Sequence, residues 1–273
     1  MALARAHKNL PILPISRETV QDHVYRRIKE LILNGEIEPG RTVTIQSIAD
    51  AFEVSAMPVR EALHRLVAEK ALTVVAGRSL GIPSLTVERL EDLRRVRCEV
   101  EAIAAEWAAQ AISAEELDHL GRLIEQMSEA EVARDRRKYV RANHAFHFTI
   151  YRASGSDALL SIIESLWLQI GPYINLLNAT TNWWASNVKH MEMRDALIHK
   201  NGAAARQALQ ADIESAASAL RVFLIEQEEI TKILPSAAAG PECGRLSNRA
   251  LADRALFSVF DQIRHMHHPK IWD

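Results

Sequence analysis

Asp212 is the residue of this 273-residue chain whose surroundings ask most for an explanation. Ala205, Ala208, Leu209, Ile213, Ala216 and Leu220 recur around it at helical spacing and draw an apolar, core-facing stripe. A carboxylate on such a stripe is costly unless it is paired or bound to a cation. Two histidines are candidates to meet it. His147 follows Asn143 by one turn, so the two share a helix face. His190 lies on the side of its segment that carries Arg194 and Leu197. Two neutral imidazoles, a carboxylate and a neutral amide oxygen suit a divalent first-row ion and leave positions open for water or a small ligand. Zinc is the first choice, and nickel, manganese or iron also fit such donors. The same side chains can instead hydrogen-bond one another in a metal-free pocket, and the residues alone leave both possibilities open. The set also serves non-haem iron oxygenases, which makes a metal-dependent enzyme using His147, His190 and Asp212 the alternative function. Those enzymes usually place their ligands on barrel strands, whereas these residues sit in helical segments. No nucleophile, phosphate loop or cofactor motif accompanies them. His119, His144 and His199 read as surface or packing residues.

Helices must position these groups. Hydrophobic residues make up 48% of the chain and charged residues 25%, with only 10 Gly and 9 Pro, so a sizeable core and long helices are expected. From Glu88 onward every periodic segment is helical: to Ala111, from the Ser113/Glu116 capping box, over Arg136 to Ala153, Ala158 to Asn178, Trp184 to Lys200, and Ala203 to about Thr231. This predicts an antiparallel α-helical bundle over 88–232. Ala158 to Asn178 is the most apolar window, but Glu164, Gln169, Pro172 and Asn175 argue for a buried helix kinked near Pro172 and against a membrane span. Residues 233–273 read as an Ala/Gly/Pro linker and a terminal helix.

The first part of the chain has a different pattern. Residues 1–16 suggest a flexible arm without a signal segment. Over 17–84, a helix ending at Asn34-Gly35 precedes a short helix from Ile45 to Phe52, a turn at Glu53-Val54 and a third helix capped by Ser55. Two strands around Ala76 to Ser79 then form a hairpin. A helix-turn-helix followed by a wing is therefore expected, giving a mainly α protein with an N-terminal winged helix-turn-helix and a C-terminal bundle. Met57, Arg60, Glu61 and His64 lie on the outward face of the third helix, where Arg60 can meet a phosphate or a guanine edge. The formal charge of the chain is −2, and residues 17–84 carry nine basic and nine acidic side chains. DNA affinity must then come from a few placed groups and from dimerisation, not from a global field. Two cysteines, Cys98 and Cys243, are too few for a disulfide framework and favour a reducing cytoplasm.

Ile32-Leu33-Asn34-Gly35-Glu36-Ile37-Glu38-Pro39-Gly40, followed by Ile48-Ala49-Asp50-Ala51-Phe52-Glu53-Val54-Ser55 and Pro58-Val59-Arg60-Glu61-Ala62-Leu63-His64-Arg65-Leu66, resembles the GntR family of bacterial transcription regulators. The resemblance implies operator DNA as a partner, contacted by Arg41, Gln46, Ser55, Met57, Arg60 and a wing tip at Gly77 and Arg78. Ala56 stands where the family usually has Arg, so an operator that departs from the common half-site is expected. The region usually rich in Glu/Arg reads Thr44-Ile45-Gln46-Ser47.

The bundle is similar to the FCD effector domain attached to many GntR regulators, on Leu93 to Glu101, Asn143-His144-Ala145-Phe146-His147, His190 and Asp212. The resemblance implies that Asn143, His147, His190 and Asp212 hold a divalent metal. Asn143 stands in place of the usual Asp and Asp212 in place of the usual His, so the charge is rearranged. It further implies a homodimer, repression released by a small organic acid, and an Arg97 that can clamp the effector's carboxylate. Arg97 can equally pair with Glu101, its i+4 neighbour. Trp167, Tyr173 and Asn175 are candidates to line the same cavity.

Overall fold

The computed structural model describes residues 19–76, 79–177 and 184–233. The expected arm, the wing tip at Gly77 and Arg78, and the expected linker and terminal helix after 233 lie outside them. Among the described residues, those up to Glu226 form one compact unit.

The chain opens on α1 (Val20–Leu33), whose Thr19 and Asp22 make a reciprocal capping box. Val24, Tyr25, Ile28, Ile32 and Leu33 are its buried face. Asn34 ends it, and Gly35 follows at φ +69°, a left-handed conformation that a Cβ would oppose. β1 (Thr42–Thr44) leads directly into α2 (Ile45–Phe52), capped by Thr44 and Ser47. Glu53, at φ 54°, makes the turn into α3 (Ala56–Ala68). Val59, Ala62, Leu63 and Leu66 of α3 are buried, and α3 packs on α1 and α2.

β2 (Thr73–Ala76) and β3 (Ser79–Gly81) pair antiparallel, as the hairpin pattern predicts, with a bulge between Val74 and Ala76. β1 was not expected. It pairs antiparallel with the other edge of β3, Val43 opposite Leu80, giving the order β1-β3-β2. Three residues, Thr42-Val43-Thr44, carry too short an alternation to signal a strand; the pairing is fixed by a partner almost forty positions away.

The helical bundle comprises α4 (Val87–Ala111), α5 (Ala114–Ala133), α6 (Arg136–Ala153), α7 (Asp157–Leu177), α8 (Trp184–Ile198) and α9 (Gly202–Ile233). Thr86, Ser113 and Asp135 cap α4, α5 and α6 with side-chain hydrogen bonds. α4 packs on α6, α7 and α8, and α5 on α6 and α8. Tyr139, Tyr151, Phe146 and Phe148 are the largest side chains sealed inside the bundle. Pro172 lies inside α7, where its missing N–H removes one bond to the preceding turn. Among the described residues no helix is long and apolar enough to cross a membrane.

Candidate functional site

α6, α8 and α9 bring His147, His190 and Asp212 together in the interior of the bundle. All three are buried, and one donor atom from each lies within 4.8 Å of the others. His147 Nε2 is 3.3 Å from His190 Nε2 and 3.4 Å from Asp212 Oδ2, and His190 Nε2 is 4.0 Å from Asp212 Oδ1. Asn143 is buried one turn before His147 on α6. Burial drives both imidazoles toward the neutral form. His147 sits well below the usual histidine range, with His190 and Arg97 adding repulsion, and His190 is pushed down to about 3. Neutral imidazoles are the form that metals bind.

The surroundings decide where the ring protons sit. His190 Nδ1 lies 3.3 Å from the side-chain oxygen of Asn187, which can only accept, so the imidazole donates there and presents its lone pair at Nε2. Asn187 is itself held by Ser128, 3.2 Å from its Nδ2. The Nε2 atom of His147 also faces this point. Two imidazole nitrogens and a carboxylate converge on this point, a donor set that suits a cation. Separations of 3.3 and 3.4 Å match those between neighbouring ligands of a tetrahedral ion with bonds of about 2.0–2.1 Å, and the 4.0 Å between His190 and Asp212 is wider than that spacing. The donors therefore fit a divalent metal.

Behind this cluster is an ionic network that the sequence only half disclosed. Arg97 is buried on α4, and Glu101, one turn on, is fully buried. Arg97 donates to both Glu101 oxygens, Nε at 2.5 Å and Nη2 at 3.2 Å. Burial opposes the guanidinium charge, but the Glu101 carboxylate more than offsets this and keeps its pKa above the usual value. Of the two roles open to Arg97, the structure has the ion pair with Glu101, which takes the Nε/Nη2 edge of the guanidinium. Tyr151 and Trp167 also donate to Glu101, from Oη at 2.5 Å and Nε1 at 3.1 Å. Tyr151 and Asn187 were not singled out from the sequence. Their helical offsets, four residues after His147 and three before His190, were the available signal.

The three residues of α7 expected at the cavity separate. Trp167 is there, its ring 5.3 Å from that of His147. Tyr173 instead donates to the carbonyl of Pro83, and Asn175 to that of Leu33. Both serve the contact with the winged helix because they lie about two turns past Trp167 on α7. His144 is packing material: it stacks on Phe148 with ring centroids 4.2 Å apart, and its Nε2 is buried without a hydrogen-bond partner.

In the winged helix, Arg41, Gln46, Ser55, Met57 and Arg60 are all exposed, Met57 to 64%. Arg41 immediately precedes β1, Gln46 lies in the first turn of α2, Ser55 is the N-cap of α3, and Met57 and Arg60 lie along its first turns. Gln46 donates to Asp50 at 2.7 Å. The expectation that Ser55 caps α3 with its hydroxyl is corrected: it occupies the N-cap position with extended backbone but makes no side-chain cap bond. Pro58 is the third helical residue, and the N–H that a capping serine would most often engage is missing from it.

Residues 20–82 match the family described as bacterial regulatory proteins, gntR family, and residues 92–215 match the FCD domain. The HTH-type transcriptional regulator McbR of Escherichia coli is 30% identical over 57% of this chain and 70% of its own length. The HTH-type transcriptional repressor GlaR of the same organism is 28% identical over 52% of this chain and 67% of its own. A solved structure of E. coli McbR/YncC superposes with a TM-score of 0.70 at 25% identity, covering 78% of this chain and all of that one.

Proposed function

This chain belongs to the GntR family of bacterial DNA-binding transcription regulators, in its FCD subfamily, and we propose that it is a ligand-responsive repressor whose bundle binds a small carboxylate effector through a divalent metal. Its relatives are transcription regulators, not enzymes. The observation that carries the effector reading is the convergence of His147 Nε2, His190 Nε2 and Asp212 at the centre of the bundle. Those residues, with Asn143 beside them, would hold the ion. The ion would act as a Lewis acid that receives a carboxylate oxygen. Charge favours such a ligand. Arg97 and Glu101 neutralise each other, and one Asp212 carboxylate against two cationic charges leaves the site short of an anion. Glu101 holds the Nε/Nη2 edge of Arg97, so a clamp by Arg97 on the effector's carboxylate would use its remaining N–H groups.

At the other end, Arg41, Gln46, Ser55, Met57 and Arg60 are the groups we assign to the operator, with Gly77 and Arg78 at the wing tip. Two protomers of a homodimer would read two half-sites. Effector and operator would then be coupled by their different affinities for two arrangements of the chain.

The test is selection of binding sites from a random DNA pool, followed by titration of the selected duplex with small mono- and dicarboxylates in the presence of Zn2+. The expected result is a palindromic site whose affinity falls several-fold with one carboxylate, an effect that chelation of the metal abolishes. Release that persists after chelation would sink the metal-mediated reading. Failure to enrich any site would sink the operator reading.

A further inference from the structure

Glu101 is a buried carboxylate that neither DNA recognition nor metal ligation uses. It is fully shielded from solvent, and its charge is already matched by Arg97. Yet it collects further donors. Oε2 receives the Tyr151 hydroxyl at 2.5 Å, the Trp167 indole N–H at 3.1 Å and Arg97 Nη2 at 3.2 Å, while Oε1 receives Arg97 Nε at 2.5 Å. A salt bridge alone needs only the Arg97 contacts.

The hydroxyl of Tyr151 has a single proton. At 2.5 Å from an acceptor-only carboxylate it gives that proton to Glu101. The same oxygen lies 3.3 Å from His147 Nδ1. With its proton spent, it can only accept there, so His147 carries hydrogen on Nδ1 and a lone pair on Nε2. That is the atom facing His190 and Asp212. If Tyr151 turned its proton to His147 instead, the histidine would hold its hydrogen on Nε2 and could not ligate.

We propose that Glu101 is a positioning residue: through Tyr151 it fixes the His147 tautomer that presents Nε2 to a divalent cation. The inference rests on the metal reading above. The relay is neutral where it touches the imidazole. The carboxylate charge stays with Arg97, and the Tyr151 oxygen transmits only direction. Asn187 does the same for His190, from its own neutral oxygen at 3.3 Å. Both histidines are thus oriented by neutral acceptors, leaving Asp212 as the one anion of the donor set.

The test uses the full chain, stripped of metal, with Tyr151→Phe as the first variant because it fills the same space and keeps the Arg97–Glu101 pair. Glu101→Gln is the second, since its amide can donate to Tyr151 and reverse the relay. Two readouts are taken: 15N shifts of the His147 ring in the metal-free protein, and Zn2+ affinity by competition with a chromophoric chelator. The unmodified protein is expected to show His147 protonated on Nδ1. Each variant is expected to lose that preference and weaken Zn2+ binding by about 10- to 100-fold, the usual cost of removing an outer partner of a metal-bound histidine. The double variant is expected to be no weaker than the worse single one. Hydrogen found on Nε2 in the unmodified protein overturns the inference, as does unchanged Zn2+ affinity in Tyr151→Phe. An unmodified protein with His147 protonated on Nδ1 that takes up no divalent ion overturns the metal reading itself, an outcome distinct from both.

Discussion

Asn175 on α7 donates its side-chain amide to the carbonyl of Leu33, the last residue of α1, at 3.1 Å. The bond closes one of the orphan carbonyls at the helix C-terminus. The same amide packs on Gly35, where a Cβ would come within 2.8 Å of Asn175 Nδ2. Lys29 and Glu164 add an ion pair at 2.6 Å between the same two helices. α7 also carries Trp167, which donates to Glu101 behind the candidate metal centre. One helix therefore touches both the surroundings of the His147–His190–Asp212 cluster and the first helix of the winged unit.

Gly35→Ala should be among the most damaging small substitutions in the chain. It places a Cβ at φ +69°, which costs about 1–2 kcal/mol, and forces Asn175 aside as well. Asn175→Ala should cost about 1 kcal/mol for the lost hydrogen bond. The two are in contact and will not add. In the Asn175→Ala background Gly35→Ala should cost less, because the clashes with Nδ2 and Cγ are gone, while the Cβ contact at 3.1 Å and the backbone part remain. Urea unfolding of the four proteins in the cycle measures this, and strict additivity would show that the contact does not matter.

His144 predicts an acid-sensitive stability. Burial, then the nearby Arg152 and Lys29, lower its pKa to about 4, against about 6.5 in an unfolded chain. The folded state thus resists a proton that the unfolded state accepts. The stability is whole above about pH 6.5 and drains as pH falls toward 4, by up to about 1.4 kcal/mol per pH unit. His147 and His190, both lowered by burial, should steepen the loss in metal-free protein. His144→Phe keeps the stack on Phe148 and removes an unpartnered buried nitrogen. It should be neutral or stabilising at pH 7.5 and should flatten the profile below pH 6.5. Denaturation midpoints in chelator at several pH values check this; an unchanged slope would remove His144 as a contributor.

Helices and their caps were the most legible part of the sequence, because they depend on neighbours. Ser113 and Glu116 mark the start of α5, and Asn34-Gly35 the end of α1, from local rules alone. Asp212 was legible for the same reason: its apolar stripe is a property of one helix. β1 was not, since Val43 needs Leu80 to become a strand. The Ser55 cap failed on a local detail, the proline two residues before Arg60. The hydrogen-bond order around His147 was beyond reach, because Glu101, Tyr151 and Trp167 come from three helices and only packing brings them to one carboxylate. Arg97 illustrates the boundary: the sequence offers two partners for it, and the fold realises the i+4 neighbour.

Metal should stabilise the fold through the same donors. An ion that binds only the folded chain adds about 2.7 kcal/mol at a free concentration of 100 times its Kd. Asp212→Ala removes the only carboxylate that the described residues bring to the cluster, and His190→Ala one imidazole. Both variants should lose that increment, so that Zn2+ raises the melting temperature of the unmodified protein and leaves theirs in place. Equal Zn2+ shifts in Asp212→Ala and the unmodified protein would assign the effect to other groups.

Two arginines should separate base reading from phosphate binding on the selected operator. Arg60 is exposed in the first turns of α3, the helix placed to enter a major groove. A bidentate contact with guanine discriminates by about 1–3 kcal/mol, so Arg60→Ala should weaken binding by about 5- to 150-fold per half-site and relax the preference at one base position. Arg41 precedes β1 and is not part of that helix, and we assign it to phosphate. Arg41→Ala should weaken all duplexes alike and reduce the slope of log affinity against log salt by about 1 for each half-site. Because residues 17–84 carry equal numbers of basic and acidic groups, no general field compensates for either loss. Fluorescence anisotropy at several salt concentrations, on the selected site and on single-base variants, resolves the two effects. If Arg60→Ala lost affinity equally on every duplex, its role would be positional and the reading of bases would fall to other residues of α3.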